Sequence, residues 1–144
     1  MATFDDLGKL FSHIKKQVSD TLNNEVKETT VNHLKINIEQ EVYDKYEPSR
    51  YVRLRDQGGL LDDRNIFQEL VSPDTLSVRS IRSDRGKDVA NIIETGKGYT
   101  WDWTVGTLPP PRPFHYQTFE DLERTLSHVE AMRQGLRRRG IDAL

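Results

Sequence analysis

Four histidines, His13, His33, His115 and His128, are the side chains best suited to moving protons or ligating a metal near neutral pH. No two stand three or four residues apart, so no helix could present them as a metal pair. His13 and His33 lie in a strongly charged segment and are expected to be solvated. His115, which follows Pro113-Phe114, is within range of a pairing with Asp102 or Glu120, although packing is the simpler role for it. Cysteine is absent, which removes thiol nucleophiles, thiolate metal sites and disulfides, and fits a reducing interior. The 23 acidic residues are scattered as on a solvated surface. A glycosidase-type carboxylate pair meets in space rather than in sequence, so it leaves no local mark. Gly58-Gly59 and Gly96-Lys97-Gly98 lack the lysine-serine ending of a phosphate loop and read as turns. No catalytic, metal-ligating or cofactor-binding residue is assigned, no cofactor is expected, and the chain is not expected to be an enzyme.

Two groups of residues suggest binding instead. Arg133, Arg137, Arg138 and Arg139 could face DNA and touch phosphates without reading bases. Alternatively they are solvated cations favoured by the negative end of a helix dipole. Tyr99, Trp101 and Trp103 belong to a long irregular stretch, Tyr99 to Phe114, and such stretches inside small domains are commonly functional. A subunit or partner interface is the reading taken for these aromatics, with packing on the chain's own sheet as its rival.

These residues need elements to carry them. The 144 residues suit a single domain, and a formal charge of −2 argues against a protein devoted to coating nucleic acid or an anionic membrane. The acidic start, Met1-Ala2-Thr3-Phe4-Asp5-Asp6, is unlike a secretory signal, and no apolar run approaches the ~18–20 residues that span a bilayer, so no membrane is expected. Phe4, Leu7, Phe11, Ile14, Val18, Leu22 and Val26 step by three and four, as do Val31, Leu34, Ile38 and Val42. Residues 1–47 therefore form a long amphipathic helical region, capped by Thr3, either as one helix or as a hairpin bent near Asn24. A single helix of that length would reach about 60 Å, so part of its stripe would bury against another chain. Residues 48–144 carry the rest. Ile66 to Val71 and Leu76 to Arg82 read as strands of a β-hairpin around Ser72-Pro73-Asp74-Thr75. Val89, Ile92 and Ile93 make a short apolar cluster. A closing helix is expected from Thr118, with Leu122, Leu126, Val129 and Leu136 as its apolar face and Gly140 as its stop. The class is α+β: a long N-terminal helix, a small antiparallel sheet with a hairpin, and a C-terminal helix packed on the sheet.

Two segments carry a family resemblance. Ala90-Asn91-Ile92-Ile93-Glu94-Thr95-Gly96, followed by Pro111-Arg112-Pro113-Phe114 and a closing helix, resembles the tail-completion (neck, or head–tail joining) proteins of long-tailed phages. The stretch from Val42 through Arg53 to Gly58-Gly59-Leu60-Leu61-Asp62 and Asn65-Ile66 resembles a subgroup from phages and prophages of Gram-positive bacteria, with Gln57-Gly58 where other members have Thr-Gly. The resemblance spans nearly the whole chain and implies a virion structural protein without catalytic residues. Such a protein forms a ring of its own copies, commonly a hexamer, between the capsid connector and the tail tube or terminator. Glu94, Gly96, Pro113 and Phe114 are then structural motif residues, the location is the virion after assembly in the host cytoplasm, and genomic DNA in the lumen is a possible non-specific contact. The alternative from another class is a small phage-encoded nucleic-acid-binding enzyme or inhibitor, suggested by the arginines and aromatics.

Overall fold

The computed structural model describes residues 4–45, 53–98 and 110–142. It is α+β. Helical residues run without a break from Leu7 to Tyr43: α1 (Leu7–Thr21), a π turn (Leu22–Val26), α2 (Lys27–Ile38) and a second π turn (Glu39–Tyr43). The hairpin bent near Asn24 is therefore not formed; Asn24 sits inside the first π turn. Asp6, rather than Thr3, caps α1, its carboxylate accepting the Lys9 N–H at 2.7 Å. Thr3 lies outside the described residues. The buried positions Thr21 and Val26 are five residues apart, a step that an α-helix would rotate off the face and that the wider π turn between them accommodates.

A 3₁₀ turn (Asp63–Asn65) leads into β1 (Ile66–Ser72), which pairs with β2 (Thr75–Ser80) across Pro73-Asp74 as the sequence suggests. A second two-stranded ladder, β3 (Ser83–Asp84) with β4 (Lys87–Asp88), was not expected. Its turn places Arg85 at φ 52° and Gly86 at φ 78°, the pair of positive dihedrals that a tight hairpin demands. Three helices follow: α3 (Val89–Thr95), α4 (Phe114–Thr125) and α5 (Ser127–Arg138). The single closing helix expected from Thr118 is thus two helices starting earlier. Thr118 is no cap, because its hydroxyl is buried and donates to the Phe114 carbonyl at 2.7 Å. Leu126, at φ 55°, breaks the run and is exposed rather than part of an apolar face. Gly140 does act as the stop. It sits at φ 85° while Ile141 N–H reaches the Leu136 carbonyl at 2.8 Å and Gly140 N–H reaches Arg137's at 3.0 Å, a complete Schellman closure.

The contacts divide the chain into two compact units, Met1–Asn32 with Gln68–Val78 and Leu122–Leu144, and His33–Phe67 with Arg79–Asp121. In the first, α5 packs on α1 and the π turn after it through Gly135. A Cβ on Gly135 would overlap the Thr21 methyl and lie 2.9 Å from Glu25 Oε2, so only glycine permits this approach. Ser19 donates its hydroxyl to the Pro73 carbonyl at the tip of the β1–β2 hairpin. In the second unit, Leu34, Ile38, Val42, Tyr43, Leu60, Ile66, Ala90 and Phe114 form the apolar core. Asn37, buried among them, is satisfied by donating to Asp121 Oδ2 at 2.9 Å and to the His33 carbonyl at 3.0 Å.

Candidate functional site

Helix α4 begins at a proline. Pro113 occupies the capping position, because its carbonyl accepts the first intrahelical bond from Gln117 N–H at 2.9 Å. A proline side chain has no acceptor for the orphan N–H groups of the first turn. Glu94, from α3, supplies one from 21 residues upstream: Oε2 accepts the His115 N–H at 2.9 Å and Oε1 the Tyr116 N–H at 3.1 Å. A capping side chain normally bonds these two positions from within its own helix. The negative carboxylate also meets the positive end of the α4 dipole.

His115 extends the arrangement. Its Nε2 accepts the Ser80 N–H from the end of β2 at 2.9 Å, so the ring proton sits on Nδ1, which faces Glu94 Oε2 at 3.2 Å. Burial pushes this imidazole's pKa below the usual histidine value, against the opposing pull of Glu94. His115 therefore pairs with Glu94 and not with Glu120, while Asp102 lies outside the described residues. Gly96 ends α3 in left-handed geometry (φ 70°), where a Cβ would come within 2.8 Å of Pro111 N. Arg112 N–H then bonds the Ile93 carbonyl at 2.9 Å, and Phe114 is fully buried with its ring 4.3 Å from that of His115. Glu94, Gly96, Pro113 and Phe114 are thus brought together into one clasp tying α3, the end of β2 and the start of α4. Ser80 and His115 complete it, and no local spacing in the sequence marks a cap that comes from another helix.

The second family-like segment closes on itself in the same unit. The Asp62 carboxylate accepts Gly58 N–H at 2.7 Å and Arg64 N–H at 2.9 Å, and pairs with the Arg64 guanidinium at 2.6 Å. These bonds, led by Arg64, hold its carboxyl far below the usual carboxylate range. Asn65 Nδ2 donates to the carbonyls of Gly58 and Gly59 at 2.9 Å each. Arg53 and Arg55 lie over the Tyr43 ring at 5.2 and 4.7 Å, and Arg55 also pairs with Glu39 at 2.8 Å.

Each arginine singled out near the C-terminus has an acidic neighbour. Arg139 Nη1 is 2.8 Å from Glu25 Oε1, Arg138 is 3.8 Å from the same oxygen, Arg133 is 3.8 Å from Glu130 and Arg137 is 3.5 Å from Asp142. Burial alone would raise the Glu25 pKa, but the hydrogen bonds and charge of Arg139 outweigh it, leaving the carboxyl below its ordinary value. Tyr99, Trp101 and Trp103 lie outside the described residues. Among the described residues no group of three histidine or acidic side chains could hold a metal ion. No helix among them is long and apolar enough to cross a membrane. His13 is half-buried, its ring 4.9 Å from that of Phe4, rather than fully solvated.

Residues 6–138 match the family model named YomN, which covers both the clasp and the Asp62 loop. The chain belongs to the YomN family. A YomN relative, the SPbeta prophage-derived uncharacterized protein YomN of Bacillus subtilis (strain 168), is 31% identical over 140 residues, covering 96% of each chain. No solved structure matches the chain. The match extends from the first turn of α1 to the end of α5, so YomN proteins share both units rather than one of them.

Proposed function

We propose that the chain is a phage virion structural protein that forms a ring at the head–tail junction, in a tail-completion or tail-terminator position, joining the connector to the tail tube. The clasp carries this reading. The residues that resemble the tail-completion proteins are spent on holding backbone: Glu94 on two N–H groups, Gly96 on a close approach, Pro113 and Phe114 on seating α4. A histidine beside a carboxylate is a common catalytic pair, but here both nitrogens of His115 already have partners. The prophage origin of the full-length relative supports a phage context. The acidic neighbours of Arg133, Arg137, Arg138 and Arg139 weigh against the nucleic-acid-binding enzyme or inhibitor, since their negative charge offsets the attraction of the cluster for phosphate.

The test is the composition and morphology of particles from the phage or induced lysogen that encodes the chain. The protein is expected in purified particles by mass spectrometry, and deletion of its gene is expected to leave filled heads and separate tails. Absence from particles, or normal particles after deletion, would overturn the reading. DNA binding by the purified chain that falls steeply with salt would favour the nucleic-acid alternative.

A further inference from the structure

Three backbone N–H groups of the clasp are held by two side chains that respond differently to acid. Glu94 holds those of His115 and Tyr116 on α4, and the His115 ring holds that of Ser80 at the end of β2. The Ser80 bond needs a bare lone pair on Nε2. The contact of Nδ1 with Glu94 needs a hydrogen on Nδ1, and a second proton on the ring makes that contact charge-assisted. One proton therefore breaks the tie to β2 and strengthens the tie to α3.

The surroundings decide how readily that proton is added. Burial disfavours the imidazolium most and keeps the pKa below the ordinary histidine value. Glu94 on α3 and Asp88, which caps α3 from the end of β4, pull the other way, while Arg79 on β2 sides with burial. The positive end of the α4 dipole also opposes a cation in this first turn. The His115 side chain is still 32% exposed, so water reaches the ring to deliver a proton and to accept the new Nε2 hydrogen. Ser80 is buried, and its N–H has no such recourse while the strand stays in place.

We propose that His115 is a proton-operated latch: neutral, it ties the start of α4 to both β2 and α3, and protonated, it lets go of β2 while keeping α3. The release is confined to one residue. Ile81 N–H, next along the chain, is bonded to the Asn65 carbonyl at 2.8 Å, and the Arg82 carbonyl accepts Ala90 N–H at 3.2 Å. These are bonds between backbone groups, which acid does not titrate. Acid thus uncouples α4 from the strand and leaves the chain after β2 anchored. The latch belongs to the clasp alone and needs no assumption about the ring.

The test follows the full chain by nuclear magnetic resonance as pH is lowered from about 8 to the point of unfolding. The imidazole nitrogen shifts of His115 report its protonation. Amide exchange, corrected for the intrinsic effect of pH, reports each N–H group. Between the ordinary histidine value and the lowered one, protection of the Ser80 amide is expected to fall about tenfold per pH unit, the linkage of one proton. Over the same range the amides of His115, Tyr116 and Ile81 are expected to keep their protection. In His115→Gln, whose amide oxygen can accept the same N–H, Ser80 protection should lose this pH dependence. In Glu94→Gln, which removes the partner charge, the fall should begin at lower pH. If His115→Gln fails to fold, the wild-type comparison of Ser80 with Ile81 decides by itself. Ser80 protection that stays level while the imidazole titrates would overturn the proposal. Loss of protection at Ser80, His115 and Tyr116 together would overturn it too, because the whole clasp would then be opening. So would an imidazole that stays neutral until the protein unfolds.

Discussion

Glu94 Oε2 lies 2.9 Å from the backbone nitrogen of His115 and 3.2 Å from its ring Nδ1, so a single carboxylate oxygen engages one residue twice. Glu94 thereby fixes both the first turn of α4 and the tautomer of the imidazole that reaches Ser80. Removing the carboxylate leaves two N–H groups and a ring N–H without their acceptor. Glu94→Ala is expected to lower stability by about 2 kcal/mol, at the upper end for loss of a cap. Glu94→Gln, which keeps one acceptor oxygen, should fall between it and wild type. Urea denaturation of the three proteins checks the order.

Protonating His115 would put a hydrogen on Nε2, where the Ser80 N–H now points. Its pKa is lowered in the fold by burial, so the unfolded chain binds the proton more readily. The neutral ring's contribution is complete above the unfolded value of about 6.5 and is lost as pH falls through the lower folded value. Stability should therefore rise with pH between those two values, by at most ~1.4 kcal/mol per pH unit from this one proton. In His115→Gln that part of the slope should vanish. Urea midpoints at pH 5, 6 and 7.5 measure it.

Gly135 reverses the usual sign of a helix substitution. Glycine to alanine inside a helix ordinarily gains about 1 kcal/mol. Here the added methyl would meet Thr21 and Glu25, so Gly135→Ala should instead cost about 1–3 kcal/mol and loosen the Arg139–Glu25 pair. Gly8→Ala, where the nearest atom is a terminal oxygen of Asp6 at 3.2 Å, should stay within about 0.5 kcal/mol of wild type. Thermal unfolding of the two variants side by side is the check.

Phe114 is fully enclosed at the first turn of α4. Phe114→Ala should cost about 3–5 kcal/mol, a large share of a small domain's stability. A variant melting within a degree or two of wild type would show that the clasp survives without its aromatic anchor.

Much of this was legible in the sequence where the determinant is local. The Val31, Leu34, Ile38 and Val42 stripe is buried as its spacing requires, the β1–β2 hairpin turns at Pro73-Asp74, and Gly140 ends α5. What failed to show depends on partners distant in the chain or on a single backbone dihedral. Thr118 followed by Asp121 imitates a capping box, yet the true cap comes from Glu94, and Asp121 is engaged by Asn37. Leu126 adopts φ 55° although leucine has no intrinsic preference for it, so an apolar repeat running through Thr125 and Ser127 reads as one helix. The π turn at Leu22–Val26 was foreshadowed only by a phase slip in the stripe, which a bend would have explained equally well. At the clasp, the resemblance pointed to Glu94, Gly96, Pro113 and Phe114, and the sequence marked His115 for a carboxylate partner, but that partner is Glu94 and the ring's other contact is Ser80, both distant in the chain.

The near-contact of Gly96 with Pro111 turns the connection between α3 and α4 into a closed loop. The chain leaves the clasp at Gly96 and re-enters it at Pro111, and Arg112 N–H is tied to the Ile93 carbonyl beside that exit. The two backbone positions are thus held side by side by the same few residues, and a chain joining them starts and ends at one place. Doubling such a connection costs only ~0.6 kcal/mol in closure entropy. Lengthening the chain between Gly96 and Pro111 is therefore expected to tax the clasp through closure entropy alone, a far smaller cost than substituting Gly96 itself.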